Sequence, residues 1–114
     1  MESALLVGIG GAAGAISRFL VARHVESEQF PWSTVLVNVL GSFVLGLVLF
    51  GIESDVIVLF AGVGFCGAFT TFSSFSVHTV SMWEEGDRTK SAAHAIGTLI
   101  LAGGAFAAAA FLVG

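Results

Sequence analysis

The chain has 114 residues and a net charge of −4, with 56% hydrophobic and only 11% charged residues. Soluble globular domains carry about 25% charged residues, so this composition nearly excludes a soluble domain, and so much apolar surface also excludes disorder. The total of 4 Lys and Arg side chains is too small for the basic face that nucleic-acid binding needs. The composition therefore predicts a small membrane protein with no nucleic-acid partner.

Charged residues occur in short islands that leave four mostly apolar stretches between them. A membrane-spanning helix needs about 20 such residues, and we expect spans at about 3–22, 31–52, 56–83 and 91–113. Almost no chain remains outside them. Residues 1–114 are therefore predicted to form a single four-helix transmembrane domain, all-α and surrounded by lipid.

In the first span, Arg18 is a charge well inside an apolar stretch. An arginine at the bilayer centre costs about 2.5–3.5 kcal/mol on insertion scales. Two interpretations stay open. The long side chain reaches the membrane surface, or it has a structural or electrostatic role, bonding to carbonyls or attracting an anion.

The second span carries Thr34, Asn38 and Ser42 at a spacing of four residues, which places them on one helix face. Hydrocarbon satisfies none of the hydrogen-bonding groups of an amide, so Asn38 must face another helix or water. The simpler alternative is that Asn38 only joins two helices.

The third span has glycines at its middle, followed by the polar run 70–76. Glycine weakens a helix interior by about 1 kcal/mol relative to alanine, so we expect this helix to be broken near its middle. Small-residue packing is the alternative. Phe72 and Phe75, three residues apart, share a face within the polar run, and their electropositive ring edges suit an anion in a dry constriction.

The sequence offers few of the titratable side chains that proton-coupled transport, metal binding or catalysis would need. Proton-coupled exchangers usually need an acid inside the membrane, and the predicted spans contain no Asp or Glu. His24, His78 and His94 lack metal-ligand spacing, and no nucleophile–base pair indicates an enzyme. The interior amide, hydroxyls and arginine suit a dehydrated anion better than a cation or a proton relay.

Three motifs resemble those of the Fluc/CrcB family of fluoride channels. The first is GGAAGAISRF at 10–19, the second is TVLVNVLGSF at 34–43, and the third is GFCGAFTTFSSFS at 64–76. The third motif is highly specific, and the resemblance covers nearly the whole chain. Ser33 and Ala68 depart from the usual glycines of the pattern.

The resemblance implies an antiparallel, dual-topology dimer with two fluoride pores, in which Asn38, Phe72 and Phe75 contact the ion. Thr71 would add a hydroxyl donor, and Ser42 and Thr34 would belong to the same path. The resemblance also implies a structural sodium ion at the dimer interface, held by backbone carbonyls at the break, where Gly67 and Thr70 match. The fourth span is nearly free of polar groups, and by the resemblance Ile100 and Gly104 match places where family members carry hydroxyls or amides.

The basic residues favour one orientation. Arg23, Arg88 and Lys90 lie in or beside loops one and three, which the positive-inside rule places in the cytoplasm. Family members that form homodimers insert both ways, so this bias predicts a heterodimer with an oppositely oriented paralogue. The leading hypothesis is a fluoride-selective channel in the cell membrane that lowers cytoplasmic fluoride passively. The alternatives are a proton-coupled exporter of the small-multidrug type and a non-transporting scaffold subunit.

Overall fold

The computed structural model describes residues 2–25 and 30–114. Its long helices are α1 (Glu2–His24), α2 (Trp32–Gly51) and α6 (Arg88–Val113). Between α2 and α6 the chain forms a composite helix. This helix runs from α3 (Asp55–Ile57) through a π-helical segment (Val58–Cys66) into α4 (Gly67–Phe69), and it resumes after a break as α5 (Phe72–Glu84).

Four of these helical stretches are long and apolar enough to cross a membrane, namely α1, α2, the composite helix Asp55–Glu84 and α6. The prediction of an all-α chain with four spanning helices is confirmed to this extent. Helix α6 begins at Arg88, before the predicted span, because the amide of Ser91 donates to Asp87 O and closes a first turn that includes Lys90.

The third span is interrupted at Thr70 and Thr71, whose backbones are extended (ψ 158° and 114°). The amide and hydroxyl of Thr70 both donate to Cys66 O, at 3.0 and 2.9 Å, and complete the last turn of α4. Thr71 then caps α5, since its Oγ1 accepts from the Ser74 amide at 3.1 Å. The predicted break is confirmed, and two threonines form it rather than the glycines before them.

Glycines allow the helices to approach closely at two interfaces. A β-carbon at Gly10 or Gly14 would collide with a backbone carbonyl of the π-helical segment, so α1 lies directly on that segment. Helix α2 packs along α6, where a β-carbon at Gly46 would come within 2.8 Å of Ala109 Cβ. Small residues serve this purpose between membrane helices, because close backbone approach strengthens van der Waals packing.

Large apolar side chains face outward along the helices. In α1 these include Ile16 and Phe19, which are 61% and 62% exposed, and in α6 Phe111 is 87% exposed. Soluble monomers rarely show continuous apolar faces of this kind. The outer surface therefore suits lipid or another membrane-embedded chain.

Candidate functional site

The side chain of Asn38 on α2 binds the broken backbone of the third span. Its Oδ1 accepts from the Thr71 amide at 2.7 Å, and its Nδ2 donates to Thr71 O at 3.2 Å. These two bonds fix the orientation of the amide, since only Oδ1 can accept from an N–H. An amide nitrogen has two hydrogens, so a second N–H of Asn38 remains for another acceptor.

A groove of about 420 Å³ lies between α2, the break and α6. Its lining includes polar residues and the two phenylalanines of the polar run, namely Asn38, Ser42, Thr70, Thr71, Phe72, Phe75 and Thr98. Apolar residues, including Leu45, Leu99 and Phe106, complete its wall. The structure thus brings together five of the six residues predicted for the ion path, and adds Thr70 and Thr98 to them.

The two phenylalanines of the polar run form a pair within this groove. The Phe72 and Phe75 ring centroids are 5.9 Å apart and the rings are tilted by 38°. Phe72 is 79% exposed, so its ring is not packed into a dry helix contact. Because a phenyl edge carries partial positive charge, this pair offers electropositive edges to a small anion without any charged side chain.

Thr34 lies apart from the groove, in a second pocket of about 240 Å³. Arg18, Ser33 and Ser74 line this pocket with it, and Thr71 lines both cavities. The pocket and the groove therefore meet at the break. Within the described part of the chain, Nε of Arg18 is buried and has no hydrogen-bond partner, which leaves an N–H donor in this pocket.

Thr98 is a groove residue that the sequence analysis missed. It is 4% exposed, and its hydroxyl has no hydrogen-bond partner among residues 2–25 and 30–114. Ile100 and Gly104, which match places where family members carry polar groups, do not line this groove, and Ile100 is 66% exposed. The usable signal was the stripe Ser91, His94 and Thr98, whose spacing puts hydroxyls and an imidazole on one face of α6.

The same face of α6 carries a buried histidine. His94 is 0% exposed and lies beside Phe75, with ring centroids 5.2 Å apart. The ring centroids of His94 and His78, which lies on α5, are 6.2 Å apart. His78 Nδ1 is hydrogen-bonded to Thr34 Oγ1 at 3.2 Å. His94 is thus packed inside the helix bundle, and His78 is half-buried beside it.

The break also frees two backbone carbonyls from their usual helical partners. The Thr71 amide, which a continuous helix would donate to Gly67 O, donates instead to Asn38. The Ser74 amide, which would bond Thr70 O, donates instead to Thr71 Oγ1. Gly67 is exposed, and nothing lies within 4 Å of where its β-carbon would be. Carbonyls freed in this way can serve as cation ligands.

In contrast to these backbone carbonyls, the side chains that usually bind metal ions are not clustered in the described part of the chain. Across residues 2–25 and 30–114, no three or more His, Cys, Asp or Glu side chains lie close enough together to hold a metal ion. Any cation at the break would therefore depend on backbone oxygens and threonine hydroxyls.

The chain matches a known family over most of its length. The family described as "CrcB-like protein, Camphor Resistance (CrcB)" matches residues 5–112. This chain belongs to the CrcB family. The resemblance found in the three motifs is thereby confirmed.

Curated relatives of this CrcB chain carry names that state a transported ion. One from Haloarcula marismortui, "Fluoride-specific ion channel FluC 2", is 52% identical over 103 residues, covering 90% of this chain and 86% of the relative. "Fluoride-specific ion channel FluC 1" from Halobacterium salinarum is 45% identical, covering 96% and 92%. "Fluoride-specific ion channel FluC" from Thermus thermophilus is 43% identical, covering 89% and 86%. These names describe ion channels rather than enzymes.

Proposed function

We propose that this chain forms a fluoride-selective channel that lets fluoride leave the cytoplasm down its gradient. The observation that carries the proposal is the groove, in which an amide N–H, hydroxyls and two phenyl rings converge inside an otherwise apolar helix bundle. The names of the relatives support the same ion. Nothing in the matches supports the small-multidrug exporter or the scaffold subunit.

The chemistry of the groove suits an anion that has given up its water. A bare charge in an apolar medium is very costly unless it is hydrogen-bonded, and hydrogen bonds to charged groups are about twice as strong as neutral ones. The second N–H of Asn38 and the hydroxyl hydrogens of Thr71 and Thr98 are donors available for fluoride. Ser42 adds a hydroxyl, and the rings of Phe72 and Phe75 add electropositive edges.

Passive release needs no coupling group. Neutral HF crosses a bilayer, dissociates in the cytoplasm and traps the anion there, so a selective pore alone lowers cytoplasmic fluoride. The residues that line the groove include no carboxylate, which fits conduction without a proton relay. Arg18 in the adjoining pocket would attract anions towards Thr71, where pocket and groove meet.

The proposed assembly is an antiparallel dimer in the cell membrane. The exposed apolar faces of α1 and α6 provide surface for a partner as well as for lipid. Gly67 and Thr70, whose carbonyls lack their regular helical donors, would hold a structural sodium ion between the two subunits. A sodium ion there would compensate these carbonyls and supply fixed positive charge beside the anion path.

The proposed partner is an oppositely oriented paralogue. Arg23, Arg88 and Lys90 all lie at the ends of the chain's helices that border loops one and three, so these loops would face the cytoplasm. The relatives from Haloarcula marismortui and Halobacterium salinarum carry the numbered names FluC 2 and FluC 1, which is consistent with paired paralogues. A second chain of opposite orientation would then complete the antiparallel dimer.

Vesicles containing the purified chain test the function. Fluoride release from vesicles should exceed that from protein-free vesicles, and chloride release should not. The chain is reconstituted alone and together with its paralogue, because the heterodimer predicts release only in the mixture. Release by the chain alone would refute the heterodimer but keep the channel. If neither preparation releases fluoride, the proposed function is wrong.

A further inference from the structure

Helix α5 carries Phe72 and Phe75 into the groove, although apolar burial does little to hold this helix in place. None of its residues, Phe72–Glu84, is fully buried, whereas six residues of α2 are. The helix begins after the break at Thr71 and ends before a turn in which Gly86 has a φ of 94°. Its position in the bundle therefore depends on polar bonds to its neighbours.

One such bond connects α5 with α6. Ser91 Oγ donates to Thr79 O at 2.6 Å, which is short for a hydroxyl bond. Ser91 is 2% exposed, so water does not compete for this carbonyl, and a hydrogen bond is electrostatically stronger in such surroundings. The bonds that reach α5 from α2 involve Thr71 and His78. Ser91 thus supplies a connection to α6 that these bonds do not.

The geometry of the two helices links this bond to the groove. Ser91 meets Thr79, and His94, three residues later, meets Phe75, four residues earlier, so α5 and α6 run antiparallel. Phe75 and Thr79 lie on the same face of α5 because they are four residues apart. One turn beyond His94, Thr98 lines the groove together with Phe75. The separation of Phe75 and Thr98 therefore follows from how closely α5 is held to α6.

We propose that Ser91 is a positioning residue that sets the width of the groove and, with it, the preference for fluoride over chloride. The diameter of a pore and the donors that line it determine which ions pass. Specificity also comes from excluding a competitor, and chloride is the larger anion. Without the Ser91 bond, α5 moves away from α6 at the break, and the groove admits chloride. This inference rests on the proposed function, since it concerns anions that pass the groove.

Release of the two halides from vesicles tests the role of Ser91. Ser91→Ala removes the hydroxyl and is studied in the preparation in which the unmodified chain releases fluoride. The variant should still release fluoride, and it should release chloride faster than protein-free vesicles do. The unmodified chain should release chloride only at the protein-free rate. A variant that is merely less stable would release less of both anions, so a gain of chloride release distinguishes positioning from stability.

Ser17→Ala is the matched control. Ser17 Oγ donates at 2.8 Å to Ala13 O of its own helix, and Ser17 lines neither the groove nor the Arg18 pocket. This variant loses one hydroxyl bond without loosening one helix from another, so its chloride release should stay at the protein-free rate. Should Ser91→Ala not fold, Ser91→Cys replaces it in the release assay with the same expected result, because a thiol is only a weak donor.

The distance between α5 and α6 provides a second measurement. Spin labels are placed at Val80→Cys on α5 and Ile96→Cys on α6, whose side chains are 54% and 58% exposed. Cys66, the one cysteine of the chain, is replaced by alanine, and unlabelled chain is added in excess so that only distances within one chain are measured. Ser91→Ala should increase the share of wider separations roughly fivefold, the shift in population that loss of one neutral hydrogen bond produces.

The outcomes separate this inference from the proposed function. Chloride release at the protein-free rate from a folded Ser91 variant would overturn the inference alone. Equal chloride release by Ser17→Ala, or label separations that Ser91→Ala leaves unchanged, would do the same. Absence of fluoride release by the unmodified chain would instead refute the proposed function and the inference with it.

Discussion

Asn38 satisfies both backbone groups of Thr71 with one side-chain amide, through bonds of 2.7 and 3.2 Å. The two residues are 33 positions apart, and the amide replaces the helical partners that Thr71 gives up at the break. The same side chain lines the groove. The sequence left two interpretations of Asn38 open, namely that it joins two helices or that it contacts the ion. The structure allows Asn38 to do both.

Asn38→Asp should strongly reduce fluoride release although it changes almost no atoms. The carboxylate can still accept from the Thr71 amide, but it cannot donate to Thr71 O or to fluoride, and it adds negative charge to the groove. Loss of a hydrogen bond to a charged group costs about 1.5–3 kcal/mol, so release should fall by at least about tenfold. The rate of fluoride release from vesicles measures this effect. Glu85→Gln, in the exposed turn after α5, is the control. Release at the unmodified rate would show that this amide does not contact the ion.

Gly41→Ala should destabilise the break. A β-carbon at Gly41 would collide with Thr70 Cγ2 and come within 3.3 Å of Phe69 Cδ2, and overpacking of this kind costs about 1–3 kcal/mol. The matched control is Gly97→Ala in α6, where nothing lies within 4 Å of the added carbon and alanine favours the helix by up to about 1 kcal/mol. Thermal unfolding in detergent compares the two. Equal midpoints would mean that Thr70 moves aside without cost.

The number of spanning helices was predictable because it depends only on where charges fall along the chain. The glycines of the third span predicted that its helix is broken near the middle. They did not predict that the break lies at Thr70 and Thr71, where Asn38, far away in sequence, binds the freed backbone. Local composition cannot reveal which distant side chain will compensate a freed backbone amide. The π-helical segment Val58–Cys66, which packs against α1, likewise had no residue pattern that predicted it.

The candidate site was predictable where polar residues stood out against an apolar span. Asn38, Ser42 and the phenylalanine pair could be found in this way, and they do meet in one groove. Thr98 could not be placed because the rotation of α6 decides which of its faces meets the groove. That rotation is fixed by close contacts such as Gly46 with Ala109, which only the folded structure contains.

Thr98→Val should reduce fluoride conduction without reducing the stability of the fold. The Thr98 hydroxyl is buried, with no hydrogen-bond partner in the described ranges 2–25 and 30–114, so an apolar group of the same shape should leave stability equal or improved. Fluoride release should nevertheless fall by roughly tenfold, since a hydrogen bond to a charged group is lost. Thr98→Ser keeps the hydroxyl and should keep most of the release. A similar rate for both variants would mean that the hydroxyl has no part in conduction.

Phe72→Ile should reduce fluoride release without destabilising the fold. Phe72 is 79% exposed, so little packing is lost, but isoleucine has no electropositive ring edge to offer the anion. Phe111→Ile provides the matched control, because Phe111 is 87% exposed on α6 and does not line the groove. Release at limiting fluoride should fall by about tenfold for Phe72→Ile, the loss of roughly 1.4 kcal/mol of interaction, and should stay unchanged for Phe111→Ile. Equal release by the two variants would show that an apolar side chain is sufficient at Phe72, and the electrostatic role of its ring would then be wrong.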